Sequence, residues 1–142
     1  MANTKPIGVA YADQDITNAD TVSAGLVYAS TELGYTSAAQ GTVTQATDKS
    51  TGVTLNKSSG RITMNGAALA AATAVSFTLT NSIISVKDAI IVNVSGGGTA
   101  AAYTTYISSM SAGSAVITLR NMTAATSLSE AVVINFAVIH GQ

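Results

Sequence analysis

The stretch RITMNGAALAAATAVSFTLTN, residues 61–81, places a run of alanines between two segments in which apolar and polar residues alternate. Alternation of period two is typical of half-buried β-strands, and it puts Ile62 and Met64 on one face of the first segment. Asn65 and Gly66 interrupt any helix before the alanines begin. The alanine run is shorter than the ~12–15 residues that an independently stable helix needs. We therefore predict a loop or a single short helix that bridges two strands.

Six further segments show the strand pattern, and clusters of turn-forming residues separate them. We expect the glycines of NKSSG (56–60), NG (65–66), SGGG (95–98) and SAGS (111–114) to adopt positive φ angles in tight turns. Eight strands in about one hundred residues predict an all-β fold, an antiparallel β-sandwich of jelly-roll-like form. The six segments are GTVTQAT (41–47), GVTLN (52–56), AIIVNV (89–94), AAAYTTYIS (100–108), SAVITLRN (114–121) and AVVINFAVIH (131–140).

Two of these segments suggest where they lie in a sheet. AIIVNV is apolar on both faces near its start, which predicts a central strand. AVVINFAVIH is the strongest strand candidate, and one of its faces should point into the core. That face holds Val132, Ile134, Phe136 and Val138.

Residues 1–40 differ from the rest of the chain. They contain the only proline, Pro6, together with four of the seven acidic residues, and their apolar residues follow no sustained period. We predict an irregular N-terminal arm over 1–40 and a β-sandwich domain over 41–142, with a short strand at 7–11 as a possible part of the arm.

The composition restricts the classes of function. Charged residues make up 9% of the chain and the net charge is −1, while Ala, Thr and Ser fill 61 of the 142 positions. A partner can cover such a surface at low cost in side-chain entropy, which favours life in an assembly over a free-standing Thr-rich domain. Six dispersed basic residues argue against nucleic-acid binding. We also expect no membrane span and no secretory signal, and therefore synthesis in the cytoplasm without export.

Residues that could carry catalysis are few. The single histidine, His140, ends the strongest strand candidate, which is more typical of an exposed strand end than of a catalytic base. SGGGT lacks the Lys-Ser/Thr of a phosphate-binding loop, and a hairpin turn explains it better. A glycosidase could use two of Asp48, Asp88 and Glu130, but the chain has no Trp and few aromatic rings to stack on sugars. We expect no enzymatic activity and no cofactor.

One acidic cluster could hold a cation. Asp13, Asp15, Asn18 and Asp20 supply oxygen ligands of the kind that Ca²⁺ prefers, although the spacing is not that of an EF-hand loop. Asp and Asn also form turns without any metal. We favour the turn interpretation and predict no metal site.

Longer phrases of the sequence resemble known proteins. GTVTQATDKSTGVTLNKSSGRITMNGAALAAATAVSFTLTNS and SLSEAVVINFAVIHGQ are similar to a β module of virion structural proteins of tailed bacteriophages, found in head-decoration or cement proteins and at the ends of fibre-like proteins. The start, TKPIGVAYADQD, resembles the opening of phage head proteins. Fibre-like relatives often carry long repetitive shafts, and their absence here favours a compact unit bound to the capsid.

The resemblance implies a homotrimer on the outer capsid surface of the virion, where it would bind the major capsid protein and tie neighbouring subunits together. Two sets of residues are candidates for these contacts. The capsid-anchor candidates are Lys5, Pro6, Ile7, Val9 and Tyr11, with Asp13 and Asp15 beside them. The trimer-interface candidates lie on the alternate face of the last strand and are Val133, Asn135, Ala137 and Ile139.

Each assignment has an alternative. Ile7, Val9 and Tyr11 could instead form the first strand of the domain's own sheet, and a central position in the sandwich could cover the second face of the last strand. The alternative function is a phage fibre or adhesion module that recognises a host surface, and a hydrolase that uses Asp or Glu is a third.

Overall fold

A computed structural model describes residues 25–141 of the chain. The chain divides into two compact units, Met1–Leu33 and Gly34–Gln142. In the described part of the first unit, residues 25–33 form no helix or strand, and they expose the apolar side chains of Leu26, Val27, Tyr28 and Leu33. An irregular lead-in is thus observed over these residues.

The second unit contains one short 3₁₀ turn at Ser37–Ala39 and eight strands within the described residues. Each of the eight segments predicted as strands of the sandwich contains one, and the possible strand at 7–11 lies outside the described residues. The strands are β1 (Gln40–Thr44), β2 (Val53–Thr54), β3 (Ser59–Thr63), β4 (Ala74–Thr80), β5 (Ala89–Gly96), β6 (Tyr103–Ser111), β7 (Ser114–Asn121) and β8 (Val133–Ile139).

The strands form two four-stranded sheets that pack as a β-sandwich, which confirms the predicted fold class. Sheet A has the order β1-β3-β8-β5, and sheet B has the order β2-β4-β7-β6. Four of the six pairings are antiparallel, but β1–β3 and β2–β4 are parallel, so both sheets are mixed. In this respect the pairing departs from a fully antiparallel sandwich.

The parallel pairs follow from how the chain crosses between the sheets. Along the chain, β2 of sheet B comes between β1 and β3 of sheet A, and β3 in turn comes between β2 and β4 of sheet B. The chain therefore crosses to the other sheet and back before it adds the next strand to the same sheet. That strand runs in the same direction as the earlier one, which makes the pair parallel. Among the eight strands, only β6 and β7 form a hairpin of consecutive paired neighbours.

Strand β5 does not occupy the central position that its sequence predicts. It pairs only with β8 and forms an edge of sheet A, and the side chain of Ile91 is 56% exposed. The apolar residues on its second face therefore have no covering neighbour among the described residues.

The core lies between the sheets and contains the apolar faces that the alternation predicts. In β8, the residues Ile134, Phe136 and Val138 are buried, as is Val132 just before it. Sheet B contributes Phe77 and Leu79 of β4 and three alternate residues of β7, Ala115, Ile117 and Leu119.

The alanine-rich segment 64–73 connects β3 in sheet A to β4 in sheet B and contains no helix, so of the two predicted forms of this bridge it is the loop. Leu69 anchors it in the core and bridges to Leu128. The prediction for turn glycines holds only at Gly97 and Gly113, whose φ angles are +72° and +79°. The SGGG segment leads from β5 to β6 in the other sheet, so it is not a hairpin turn.

Candidate interaction surface

The outer face of sheet A is built from residues that alternate with the core residues of its four strands. The registers align these residues in rows across the sheet. One row runs Thr42, Arg61, Asn135, Asn93, and the next runs Gln40, Ser59, Ala137, Ile91. The first row is thus polar throughout, and the second is polar towards β1 and becomes apolar towards β5.

The apolar end of this face is exposed. Ile91 of β5 pairs with Ala137 of β8, and Ala89 pairs with Ile139, whose side chain is 53% exposed. Val86 is also exposed in the loop before β5. We call Val86, Ala89, Ile91, Ala137 and Ile139 the apolar corner. It adjoins the open backbone edge of β5, a strand without charged residues or proline, and such edges pair readily with other chains.

The four trimer-interface candidates divide between this surface and the interior. Asn135 and Ile139 are exposed and Ala137 is half-buried, so these three can contact a neighbour. Val133 points to the same side but is buried, because the turn at Gly97 covers it. Strand β8 itself is central, between β3 and β5, and this accounts for its apolar inward face.

An open groove of about 500 Å³ lies at the polar end of the outer face of sheet A. Its lining residues come from β1, β3 and β8 and include Gln40, Thr42, Ser59, Arg61 and Asn135. We call it the Arg61 groove. Sequence reasoning did not find it, because the residues are far apart in the chain and only the strand order and register bring them together.

The outer face of sheet B offers a different chemistry. Thr118 of β7 shares hydrogen bonds with Ser76 of β4 at 2.8 Å and with Ser108 of β6 at 3.0 Å. This hydroxyl ladder joins three strands, with Tyr106 and Arg120 exposed on the same sheet. The hydroxyls bond to one another, so the ladder stabilises the sheet.

A serine, an aspartate and a histidine lie together at one edge of the sandwich, but not as a catalytic triad. His140 Nδ1 lies 3.1 Å from Asp88 Oδ2, and His140 is 48% exposed. Ser85 Oγ donates to Asp88 Oδ1 at 2.8 Å and not to the histidine, which a nucleophilic serine would require. The Ser85 N–H and the Gly141 N–H also donate to this carboxylate. The arrangement ties residues 140 and 141 to the loop before β5.

The hydrogen bonds to Asp88 hold the pKa of its carboxyl down, to about 2. The largest cause is the backbone bond from Ser85, and the Ser85 hydroxyl, the Gly141 N–H and His140 contribute further. Burial opposes this lowering in part. The carboxylate is therefore charged at neutral pH and acts as an acceptor for the surrounding donors.

A second group of titratable residues surrounds Glu130. Its carboxylate accepts the N–H and hydroxyl of Thr99, at 3.1 and 2.7 Å, and these bonds lower the pKa of Glu130. Burial, and then the neighbouring Glu130, raise the pKa of Tyr103 to about 12. The buried Tyr103 hydroxyl has no hydrogen-bond partner of good geometry, so the two side chains are neighbours and not a bonded pair.

Lys49 is a buried cation next to this group. Its side chain is 3% exposed, and Nζ donates to the backbone carbonyls of Asn65 and Glu130. Burial lowers the pKa of Lys49, which the Glu130 charge partly opposes. The ammonium group joins three loops at one end of the sandwich, and this is a structural role.

The capsid-anchor candidates Lys5, Pro6, Ile7, Val9, Tyr11, Asp13 and Asp15 lie outside the described residues, and so do Asn18 and Asp20 of the possible cation cluster. Over residues 25–141, no group of three or more His, Cys, Asp or Glu side chains could hold a metal ion. In the same range no helix is long and apolar enough to cross a membrane.

Comparisons with known proteins give no significant match: no family model, no curated protein and no solved structure is similar to the chain. The functional assignment therefore depends on the resemblance of the sequence phrases and on the geometry of the outer face of sheet A.

Proposed function

We propose that the chain is a virion structural protein of a tailed bacteriophage, a trimeric decoration or cement protein that binds the outer capsid surface. It acts without catalysis, by joining neighbouring copies of the major capsid protein. The observation that carries the proposal is the apolar corner beside the open edge of β5. Exposed apolar residues next to an uncharged strand edge are suited to a surface that is covered in an assembly.

Two features of the chain support this proposal. The surface has few charges, so covering it removes few solvated groups from water. Residues 25–33 expose Leu26, Val27 and Tyr28 in an irregular segment, which is suited to lying on a partner. A protein that binds the assembled shell but not its separated subunits stabilises the shell by mass action.

In this proposal the N-terminal arm contacts the capsid, and the outer face of sheet A contacts a neighbouring copy of the chain. Lys5, Pro6, Ile7, Val9 and Tyr11 contact the capsid. The β8 residues Asn135, Ala137 and Ile139 contact the neighbouring copy, together with the rest of the apolar corner.

Co-sedimentation with undecorated capsids tests the proposal. The full-length chain is compared with a variant that begins at Gly34, where the second compact unit starts. We expect saturable binding by the full chain and loss of binding by the variant. If a well-folded full chain does not bind, the decoration proposal fails, and binding to host-cell surfaces becomes the next experiment. Binding that survives the truncation would move the capsid contact into the sandwich.

A further inference from the structure

The Arg61 groove presents hydrogen-bond donors that have no carboxylate partner among the described residues. Within residues 25–141 the one ion pair is that of Asp88 with His140, so Arg61 has no carboxylate partner there. Asn135 lies beside Arg61 in register, and its Oδ1 accepts a bond from Ser95 at 2.9 Å, which leaves its Nδ2 group to donate. A guanidinium group beside an amide donor is suited to a carboxylate, which Arg can bind through two parallel bonds.

The carboxylates of the sandwich already accept hydrogen bonds from other groups. Asp48 accepts bonds from Ser50 and Thr51 in its own turn. Asp88 and Glu130 are held by the contacts described above, within other loops. The remaining acidic residues all precede Gly34, and three of them fall within eight positions. These three are Asp13, Asp15 and Asp20.

The edge of the groove is suited to an extended peptide. Strand β1 pairs only with β3 among the described residues, so its other backbone edge is open beside Gln40 and Thr42. A strand added there would lie about 4.8 Å from β1. Its side chains could then reach Arg61 across Thr42, which is small. Phe136 is the one aromatic residue of the lining and is buried, so the groove offers a sugar ring little stacking surface, which favours a peptide over a glycan.

We propose that the Arg61 groove binds the acidic segment 13–20 of a second copy of this chain. The inference rests on the proposed function in one respect, the neighbouring copy, because Asn135 belongs both to the groove and to the β8 surface assigned to that neighbour. It separates the arm into two parts: residues 5–11 contact the capsid, and the acidic residues that follow contact the next copy.

Charge reversal in the full-length chain tests the inference. We expect Arg61→Glu to weaken self-association about tenfold or more, because like charges then meet in the groove. A triple variant, Asp13→Arg, Asp15→Arg and Asp20→Arg, should weaken it similarly. Arg120→Glu is the matched control, since Arg120 is an exposed arginine on sheet B, outside the groove. Sedimentation velocity over a range of concentrations gives the dissociation constants.

Mixing the two groove variants identifies the source of the segment. If the segment comes from a second copy, a mixture of Arg61→Glu with the triple variant regains association, because opposite charges again meet between chains. If only a single chain that carries all four changes regains it, the segment binds within its own chain and the proposal is wrong. Equal weakening by Arg120→Glu would also overturn the proposal, since self-association would then depend on the net charge of the chain and not on the groove.

The outcome is separable from that of the capsid experiment. A wild-type chain that stays monomeric yet binds capsids overturns this inference and the trimeric state, but leaves capsid binding standing. Charge-dependent self-association without capsid binding supports this inference and contradicts the proposed function.

Discussion

At the scale of single residues, Asp88 links pH to stability. Its pKa is lowered from 3.8 to about 2 in the folded chain, so the unfolded chain binds a proton more readily. The stabilising contribution is complete above the unfolded pKa and is lost as pH falls towards 2. Residues 140 and 141 should then lose their tie to the loop before β5.

We therefore predict that Asp88→Asn flattens the loss of stability between pH 4 and about 2. Urea denaturation at several pH values measures this as a smaller change in free energy of unfolding across that interval than in the wild type. Glu32→Gln is the control, since Glu32 is exposed in segment 25–33. An unchanged pH profile in Asp88→Asn would show that other groups cause the loss of stability in acid.

The buried ammonium group of Lys49 gives a second prediction at this scale. Lys49→Met removes the donor to the carbonyls of Asn65 and Glu130 and should destabilise the fold by about 1–3 kcal/mol, because buried acceptors are left unpaired. Lys87→Met is the matched control, since Lys87 is exposed. Thermal or urea denaturation measures both. Equal stability of the two variants would mean that water replaces the lost donor.

At the scale of elements, the pairing of β1 with β3 requires glycine at Gly60. A Cβ atom there would lie 2.7 Å from a Leu55 methyl carbon, 2.8 Å from the Phe136 ring and 2.9 Å from the Gly41 carbonyl oxygen. Gly60→Ala should therefore cost about 1–3 kcal/mol of stability through overpacking. Gly66→Ala is the control, because a Cβ atom at that position would meet no other atom within 4 Å. A wild-type denaturation midpoint for Gly60→Ala would contradict the close packing at this crossing.

The apolar corner gives a prediction about assembly. Ile139→Lys should weaken self-association, because burying an isoleucine side chain contributes about 1.5–3 kcal/mol. Met122→Lys is the matched control, since Met122 is equally exposed at 53% but follows β7 of sheet B. Sedimentation equilibrium compares the two. If Met122→Lys has the larger effect, the contact between copies lies on the other sheet.

The elements also show which parts of the fold the sequence could predict. Period-two alternation located all eight strands and the inward face of β8, because burial acts directly on neighbouring residues of one strand. The apolar residues on both faces of AIIVNV predicted a central strand, but β5 lies at the edge of its sheet. An apolar outer residue such as Ile91 does not reveal whether its cover is another strand of the same chain or another molecule. The parallel pairs depend on crossings between sheets, which leave no local pattern.

The candidate surface was predictable to a similar degree. Alternation assigned Asn135, Ala137 and Ile139 to the outer side of β8, but Val133 is covered by the turn at Gly97. Prediction of the Arg61 groove would have required the registers of three strands that are separated in the chain. A lone arginine at the start of RITMN carried no sign of a groove by itself.

At the scale of the whole molecule, the second compact unit should fold without the first. The core residues of the sandwich begin at Val43, and Tyr35 and Gln40 extend its contacts back almost to Gly34. We predict that a variant beginning at Gly34 has the denaturation midpoint of the full chain and the same circular dichroism in the β-sheet region. A lower midpoint would mean that the arm contributes to the stability of the sandwich.

The central place of β8 in sheet A also has a consequence for synthesis. β3 and β5 belong to one sheet only because both form hydrogen bonds to β8, which lies between them. β3 precedes β8 by some seventy positions in the chain. Pairing over such a separation is slow, because a long loop must close before any bond is gained. While a ribosome is still adding residues 100–130, sheet A therefore remains open, and nascent chains expose the inner faces of its strands. Because β8 is the last strand to emerge, the outer face of sheet A forms only when translation of the sandwich is complete.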